Sequence, residues 1–320
     1  MRPPQGCTDS FIRAIPGWPR EDEGVRAPPW PANRWILSFW LGKRRGFATV
    51  EAVIHPTALV HPNAKLDSTV QVGPYTVIDQ GVEIGPGCVI GPQVYLTGLT
   101  TIGEHNRIFA GCILGEAPQD LKYQDQPTRL RIGGYNVFRE HFTAHRSNKV
   151  EEDTVIGSHN FFMQHSHVAH NVVLGDHVIL GGGSLLAGHA VVGDRAMISG
   201  NCLIHQFTRI GTMALMQGGS AVSKDLAPYT VARGANRISG LNSVGLRRAG
   251  VSAADRLELR RLYHALFRSG MNLRQAAAQA RLEFLSAPAR VLLDFIAASK
   301  RGVCAEPGGR RIAEPEPGAE

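Results

Sequence analysis

The sequence predicts a mainly β fold: a parallel β-helix of hexapeptide repeats followed by a small α-helical C-terminal domain. Three observations carry this expectation. An aliphatic residue recurs at every sixth position from Ile54 to Val222, glycine often follows it, and beyond Val222 the apolar spacing changes to that of a helix. The 320-residue chain contains 36 glycines and only 19% charged residues, which suits a backbone that turns often rather than a helical bundle.

Residues 1–49 are rich in Pro, Arg and Trp and follow no period, so they are expected to be a poorly ordered extension. Their best apolar run, Trp35 to Leu41, ends at Lys43-Arg44-Arg45 and falls well short of the roughly 20 residues that span a bilayer. It also begins too late for a signal peptide. Because patterned sequence begins directly after Val50, translation is expected to start near there.

The hexad pattern runs through 29 positions in one phase. Of these, 23 are Ile, Leu or Val, three are Phe or Met, one is Ala144, and only Asp120 and Gln126 are polar. A period of six fits neither an amphipathic helix nor a hairpin sheet, but it fits a triangular prism in which each hexad supplies one short strand and one corner. Three hexads then make a coil of 18 residues, and each coil buries its inward residues against its neighbours. The polar pair marks Gly115 to Arg131, GEAPQDLKYQDQPTRLR, as one loop ejected from the prism, and such loops often carry function.

Residues 50–228 are therefore expected to form the β-helix, 229–304 a connecting segment and helical domain, and 305–320 a disordered tail. Ser252 is a candidate cap for a helix carrying Leu257, Leu262, Leu266 and Phe267, and Leu273 to Leu285 and Ala289 to Ala298 suggest two more. The five cysteines are scattered without a CxxC pair, which argues against a disulfide framework or thiolate zinc and for a reducing compartment. The net charge of +7 leaves nucleic acid, membrane surface and acidic protein open as partners.

Nine of the thirteen histidines fall between His141 and His205. Residues 18 apart share an edge of the prism, so His170, Gly188 and Gln206 form one column and Asn171, His189 and Phe207 the next. His205 lies beside Gln206, so three imidazoles are expected on one edge. Either the corners carry a structural histidine ladder, or the edge is a cleft with a general base, a role that suits imidazole near neutral pH.

At this point the chain resembles the acyl-[acyl-carrier-protein]–UDP-N-acetylglucosamine O-acyltransferases, which begin lipid A synthesis. The resemblance covers about Ile54 to Gly302. It rests on the QDLKY loop, AHR at 144–146, HVAHN at 167–171, LAGH at 186–189, IHQF at 204–207 and GLNSVGLRRAG at 240–250. It implies a left-handed coil, a homotrimer with active sites between prisms, and a cytoplasmic enzyme with no cofactor or metal, no nucleic-acid partner and no membrane span. It implies His170 as the general base that takes the proton of the sugar 3-hydroxyl as that oxygen attacks the acyl thioester. The Gly188 N–H would stabilise the oxyanion. His145, His167, His189, His205 and Gln206 would contact the nucleotide sugar and reacting groups, as would Gln119, Asp120 and Lys122 of the ejected loop. Arg237, Asn242 and Arg248 would contribute from the connecting segment.

Gly218 matches a position where a small residue leaves room for a long acyl tail, of about fourteen carbons. Acyl carrier protein is acidic, so Arg247, Arg248, Arg256, Arg260 and Arg261 are candidate docking residues.

The chain departs from the pattern at Asn171, where well-known members carry Asp, and at Val244, which is Glu in some. The segment Arg233 to Ser239 is a residue shorter than in some members. A neutral amide can orient an imidazole but cannot stabilise its cation as a carboxylate does. Other readings of the scaffold are N-acylation of a related amino-sugar nucleotide, a γ-type carbonic-anhydrase-like metal site using His165 and His170, and a non-catalytic binding protein.

Overall fold

The computed structural model describes residues 53–306; the expectations for residues 1–49 and for most of 305–320 lie outside them. From Val53–Ile54 to Ala221–Val222, short strands wind into a left-handed triangular prism whose three faces carry nine, nine and eight of them, and two later strands extend one face to an eleven-stranded sheet. Successive coils pair in parallel 18 residues apart, as Val53 opposite Gln71 and Leu59 opposite Val77. The inward residues form one continuous core in which Ile78, Leu96, Leu114, Phe138, Phe162, Leu180 and Ile198 are fully buried.

From Val72 onward most hexads turn their corner at the residue three places after the inward one, and that residue has positive φ; Thr57, Asn63 and Thr69, at the first three corners, do not. The corner is glycine at Gly81, Gly87, Gly111 and Gly183, and histidine at His105, His141, His159, His165, His177 and His189. A left-handed conformation costs an L-residue roughly 1–2 kcal/mol, and Asn and His are among the side chains that tolerate it best. Burying one aliphatic side chain per hexad returns about 1.5–3 kcal/mol, so the repeat is self-supporting only when every hexad fills its inward position.

The prism departs from 18-residue pairing twice, where the sequence suggested one loop. Ile113 pairs with Tyr95 on one side but with Thr143 on the other, a step of 30, because two whole hexads leave between the strands Ile113–Glu116 and Arg129–Ile132. The excursion is thus residues 117–128, and Gly115, Glu116 and Arg129 to Arg131 belong to paired strands rather than to the loop. Thr143 then pairs with His167, a step of 24, because one further hexad leaves between Thr143–His145 and Asp153–Ile156. Val150, expected to face inward, is instead 38% exposed on this second excursion. Both excursions are whole multiples of six residues, which is why the aliphatic phase runs through them unbroken.

After the prism, the strand Thr230–Ala232 pairs antiparallel with Ile238–Leu241, and four helices follow: α1 (Ser243–Arg248), α2 (Ala253–Phe267), α3 (Leu273–Glu283) and α4 (Ala287–Ala297). Ser252 caps α2 by accepting from the Asp255 N–H, as its sequence position suggested. Leu262, Leu266 and Phe267 are buried with Leu259, whereas Leu257 is 58% exposed. Helix α1 was not foreseen; Asn242 caps it by accepting from the Gly245 N–H. Among the described residues no helix is long and apolar enough to cross a membrane.

The helical domain is fastened to the prism through Asp225, which is almost fully buried. Its carboxylate accepts from Arg209 Nε and Ser299 Oγ at 3.0 and 2.8 Å, and the same guanidinium donates to the Phe295 carbonyl at 2.8 Å. Removing one partner of a buried ion pair strands the other, at a cost of several kcal/mol. Asp225→Ala is therefore expected to lower unfolding free energy by about 3 kcal/mol, read by thermal or urea denaturation; a change under about 1 kcal/mol would contradict this account.

Candidate active site

The corner after the strand His167–Val168 gathers the titratable side chains. Asn171 occupies the left-handed position with φ of 57°, so its side chain turns back beneath the His170 ring. Asn171 Oδ1 lies 2.9 Å from His170 Nδ1 and also accepts from the Asn148 N–H at 3.1 Å. Its Nδ2 donates to Ser147 Oγ at 2.7 Å and to Glu152 Oε2 at 2.9 Å. The Ser147 hydroxyl proton is committed to the Lys149 carbonyl, so Ser147 Oγ must accept from the amide, as the carboxylate must. This fixes the amide's orientation and, with it, the imidazole tautomer. Nδ1 of His170 carries the proton and donates, and Nε2 is left as the free basic nitrogen.

One coil further on, Gly188 lies under that ring. A Cβ there would come within 2.6 Å of His170 Cε1 and 2.7 Å of Nε2, so only glycine leaves space for the imidazole. Among the described residues the Gly188 N–H has no protein acceptor, while its carbonyl accepts from the Phe207 N–H. His189 meets the His170 ring edge-on, with centroids 5.3 Å apart, and stacks on Phe207 at 4.7 Å. Its Nδ1 is 3.6 Å from Glu152 Oε2. Burial pushes the His189 imidazole below its ordinary range, and His170 acts in the same direction.

On the adjoining sheet, Thr143 Oγ1 lies 2.7 Å from His167 Nδ1, and His145 meets the His167 ring edge-on at 4.8 Å. His145 is buried, its Nδ1 has no partner among the described residues, and burial holds its pKa down. The first excursion reaches this cluster through Asp120, whose Oδ2 accepts from Asn148 Nδ2 at 2.7 Å and whose Oδ1 accepts from the Lys122 N–H at 3.0 Å. Those bonds, the one from Lys122 foremost, keep the Asp120 carboxyl below the usual carboxylate range.

The chain thus brings together Asp120, His145, His167, His170, Gly188 and His189. His205 does not join their ring contacts: its Nδ1 lies 3.1 Å from the Gln206 carbonyl oxygen and 3.5 Å from Arg301 Nη2. Gln119, Lys122, Gln206, Gly218, Arg237 and Arg248 are exposed. Arg237 lines an open cavity of about 610 Å³ with Arg233, Arg268 and Glu306. The Asn242 side chain is already engaged, capping α1 and donating to the Met213 carbonyl at 2.9 Å. Of the basic residues after the prism, Arg261 pairs with Glu283 and Arg256 donates to the Val251 carbonyl.

The second excursion was missed as a source of site residues. Ser147, Asn148 and Glu152 all come from it, and the signal was present in the run RSNKVEED, the most polar stretch around any hexad position from 132 onward. His165 stacks on His141 of the preceding coil, and His159 stacks on His177 at another edge. At these corners the histidines form stacked ladders, whereas at the His170 corner the rings meet edge-on.

Comparison with known proteins finds relatives of the chain among sugar-nucleotide acyltransferases. Residues 225–304 match the family model described as domain 2 of UDP-N-acetylglucosamine O-acyltransferase, and residues 63–98 and 153–188 match bacterial transferase hexapeptide repeats. The acyl-[acyl-carrier-protein]–UDP-N-acetylglucosamine O-acyltransferase of Thiobacillus denitrificans is 46% identical over 256 residues, 79% of this chain and 99% of that protein. The Thermodesulfovibrio yellowstonii protein of the same name is 42% identical over 254 residues, 78% of this chain and 98% of that one. Among solved structures, LpxA from Acinetobacter baumannii superposes with a TM-score of 0.75 at 39% identity, covering 78% of this chain and 99% of that one.

Burial sets one measurable property of this site. His167 is pushed down to about 4, mostly by burial and further by His145. Native His167 is then neutral above about pH 4, while the unfolded chain binds that proton below its ordinary 6.5. Stability is expected to fall as pH drops through this window, and an NMR titration should give His167 a midpoint near 4. A midpoint at or above 6 would contradict the burial assigned to it.

Proposed function

The chain belongs to the acyl-[acyl-carrier-protein]–UDP-N-acetylglucosamine O-acyltransferase family, and from that membership we propose that His170 is the general base of an O-acyl transfer onto UDP-N-acetylglucosamine. The enzyme is an acyltransferase that catalyses the first step of lipid A biosynthesis, moving a 3-hydroxyacyl chain from acyl carrier protein to the sugar 3-hydroxyl. His170 Nε2 takes the hydroxyl proton while the oxygen attacks the thioester carbonyl. The tetrahedral intermediate then expels the carrier's thiolate, which leaves with a proton. A neutral alcohol is a weak nucleophile, and a positioned base is typically worth about 10²–10⁴ in rate. The observation that carries this reading is the fixed amide of Asn171, which holds the Nδ1 proton and leaves Nε2 free.

The free N–H of Gly188, one coil from that nitrogen, is suited to receive the oxyanion. Asp120, His145, His167 and His189 surround the reacting groups. Gln119, Lys122, His205, Gln206, Arg237 and Arg248 bind the nucleotide sugar from surfaces that this chain alone leaves open, and Asn242, whose amide is engaged with Gly245 and Met213, supports them by holding the start of α1. A homotrimer would close those surfaces. Leu59, Leu185 and Leu203 face outward from one sheet with exposures of 68%, 44% and 50%, and Leu121 on the first excursion is fully exposed. An apolar stripe of this kind is suited to burial between prisms.

Of the arginines proposed to dock acyl carrier protein, Arg247, Arg248 and Arg260 make no ion pair among the described residues, so they carry the attraction best. Four unpaired, buried cysteines, Cys88, Cys112, Cys202 and Cys304, fit the reducing cytoplasm.

Two outcomes follow. His170→Ala should lower kcat with UDP-N-acetylglucosamine and 3-hydroxyacyl carrier protein by about 10²-fold or more while the thermal midpoint stays put; unchanged turnover would refute the base assignment. Gly218 has no left-handed φ, and a Cβ there would meet only the Gly200 carbonyl oxygen at 3.5 Å, so the fold of this chain does not require glycine. Gly218→Met is expected to fold normally and to move preference toward shorter acyl chains in competition assays. An unaltered preference would remove Gly218 from the acyl-tail site.

A further inference from the structure

Resting on the reading of His170 as the base, we propose that Glu152 is its positioning residue: a carboxylate that acts on the imidazole through the Asn171 amide, replacing the direct carboxylate that a base of this kind ordinarily has. The second excursion is what brings it there. Its six residues return to the prism at Asp153, and the last of them sets a carboxylate oxygen 2.9 Å from Asn171 Nδ2. Asn171 is then saturated, with two donors on Oδ1 and two acceptors on Nδ2. Lys149 holds the opposite oxygen at 2.8 Å, and its hydrogen bond, followed by that of Asn171, keeps the Glu152 carboxyl below the usual range and ionised.

The amide and the carboxylate explain one another. An aspartate at 171 would face the Glu152 carboxylate at hydrogen-bond distance. It would also face Ser147 Oγ, whose proton already points to the Lys149 carbonyl. Two anions would share a site with no proton between them, which is strongly unfavourable. With Glu152 present, residue 171 must therefore be an amide. The negative charge has moved one hydrogen bond outward, and the amide passes its field inward. When His170 takes the hydroxyl proton, the new positive charge sits at one end of a hydrogen-bonded chain whose other end is an anion, and the intervening bonds polarise in the same direction. Glu152 also lies 3.6 Å from His189 Nδ1, so it steadies both rings of the edge-on pair.

The test exchanges the two groups. Kinetics of the full chain with UDP-N-acetylglucosamine and 3-hydroxyacyl carrier protein would compare wild type, Glu152→Gln, Asn171→Asp, the double variant and His170→Ala. Glu152→Gln should lower kcat about tenfold or more with KM for the nucleotide sugar changed less than about twofold, because the residue touches no substrate. Asn171→Asp should fall at least as far. The double variant, which puts the carboxylate at 171 and the amide at 152, should return to within about fivefold of wild type, a non-additive recovery that loss of folding would not produce.

A Glu152→Gln kcat within about twofold of wild type, or a double variant no faster than the slower single, overturns the proposal. If His170→Ala is inactive while Glu152→Gln is unaffected, only Glu152 is wrong. If His170→Ala keeps full turnover, the base reading itself fails, and the role of Glu152 with it.

Discussion

Most hexads of the prism place one residue in the left-handed region, and the rest of the molecule depends on meeting that demand. The conformation is unfavourable for most side chains, so the corners are filled by Gly, Asn, His and a few others. This places polar, ring-bearing side chains in columns along the outside edges, at the spacing where they stack. His141 on His165 and His159 on His177 show such columns as plain stacks of parallel rings. At the His170 corner Asn171 meets the same demand with a φ of 57°, and so its amide lies beside the ring that precedes it.

Much of the fold was legible because the inward residues are read one at a time along the chain, each buried by its sequence neighbours 18 places away. Ser252 and the helical spacing after it were readable for a similar local reason. The second excursion was hidden because it keeps the aliphatic phase: Val150 satisfies the pattern yet faces solvent. Sequence periodicity reports the remainder after division by six, and a segment of six residues leaves no remainder. Helix α1 was hidden because its cap, Asn242, reads equally well as a ligand-binding side chain, and only the contact with Gly245 tells the two apart.

The site was legible in part for the same reason. Columns 18 apart correctly joined His170 to Gly188 and Asn171 to His189. The column argument also put His205 with them, but that ring makes none of their ring contacts and lies instead 3.5 Å from Arg301 Nη2. Ser147, Asn148 and Glu152 could not be found by any column, since their excursion belongs to none. What they add is electrostatic. A cluster of imidazoles that burial drives toward neutrality is joined by two carboxylates held ionised by hydrogen bonds, Asp120 and Glu152. Neutral rings and fixed anions around one free nitrogen are what proton abstraction from a hydroxyl needs.

The two excursions, of two hexads and of one, give the prism something like a reading frame. Added chain that arrives in whole sixes leaves every downstream aliphatic facing inward and every downstream corner in place. One residue more or less would turn the remaining core out to solvent. New loops can therefore be spliced into such a scaffold only in fixed increments, and the length of an insertion, before any of its residues are known, says whether the coils beyond it will still wind.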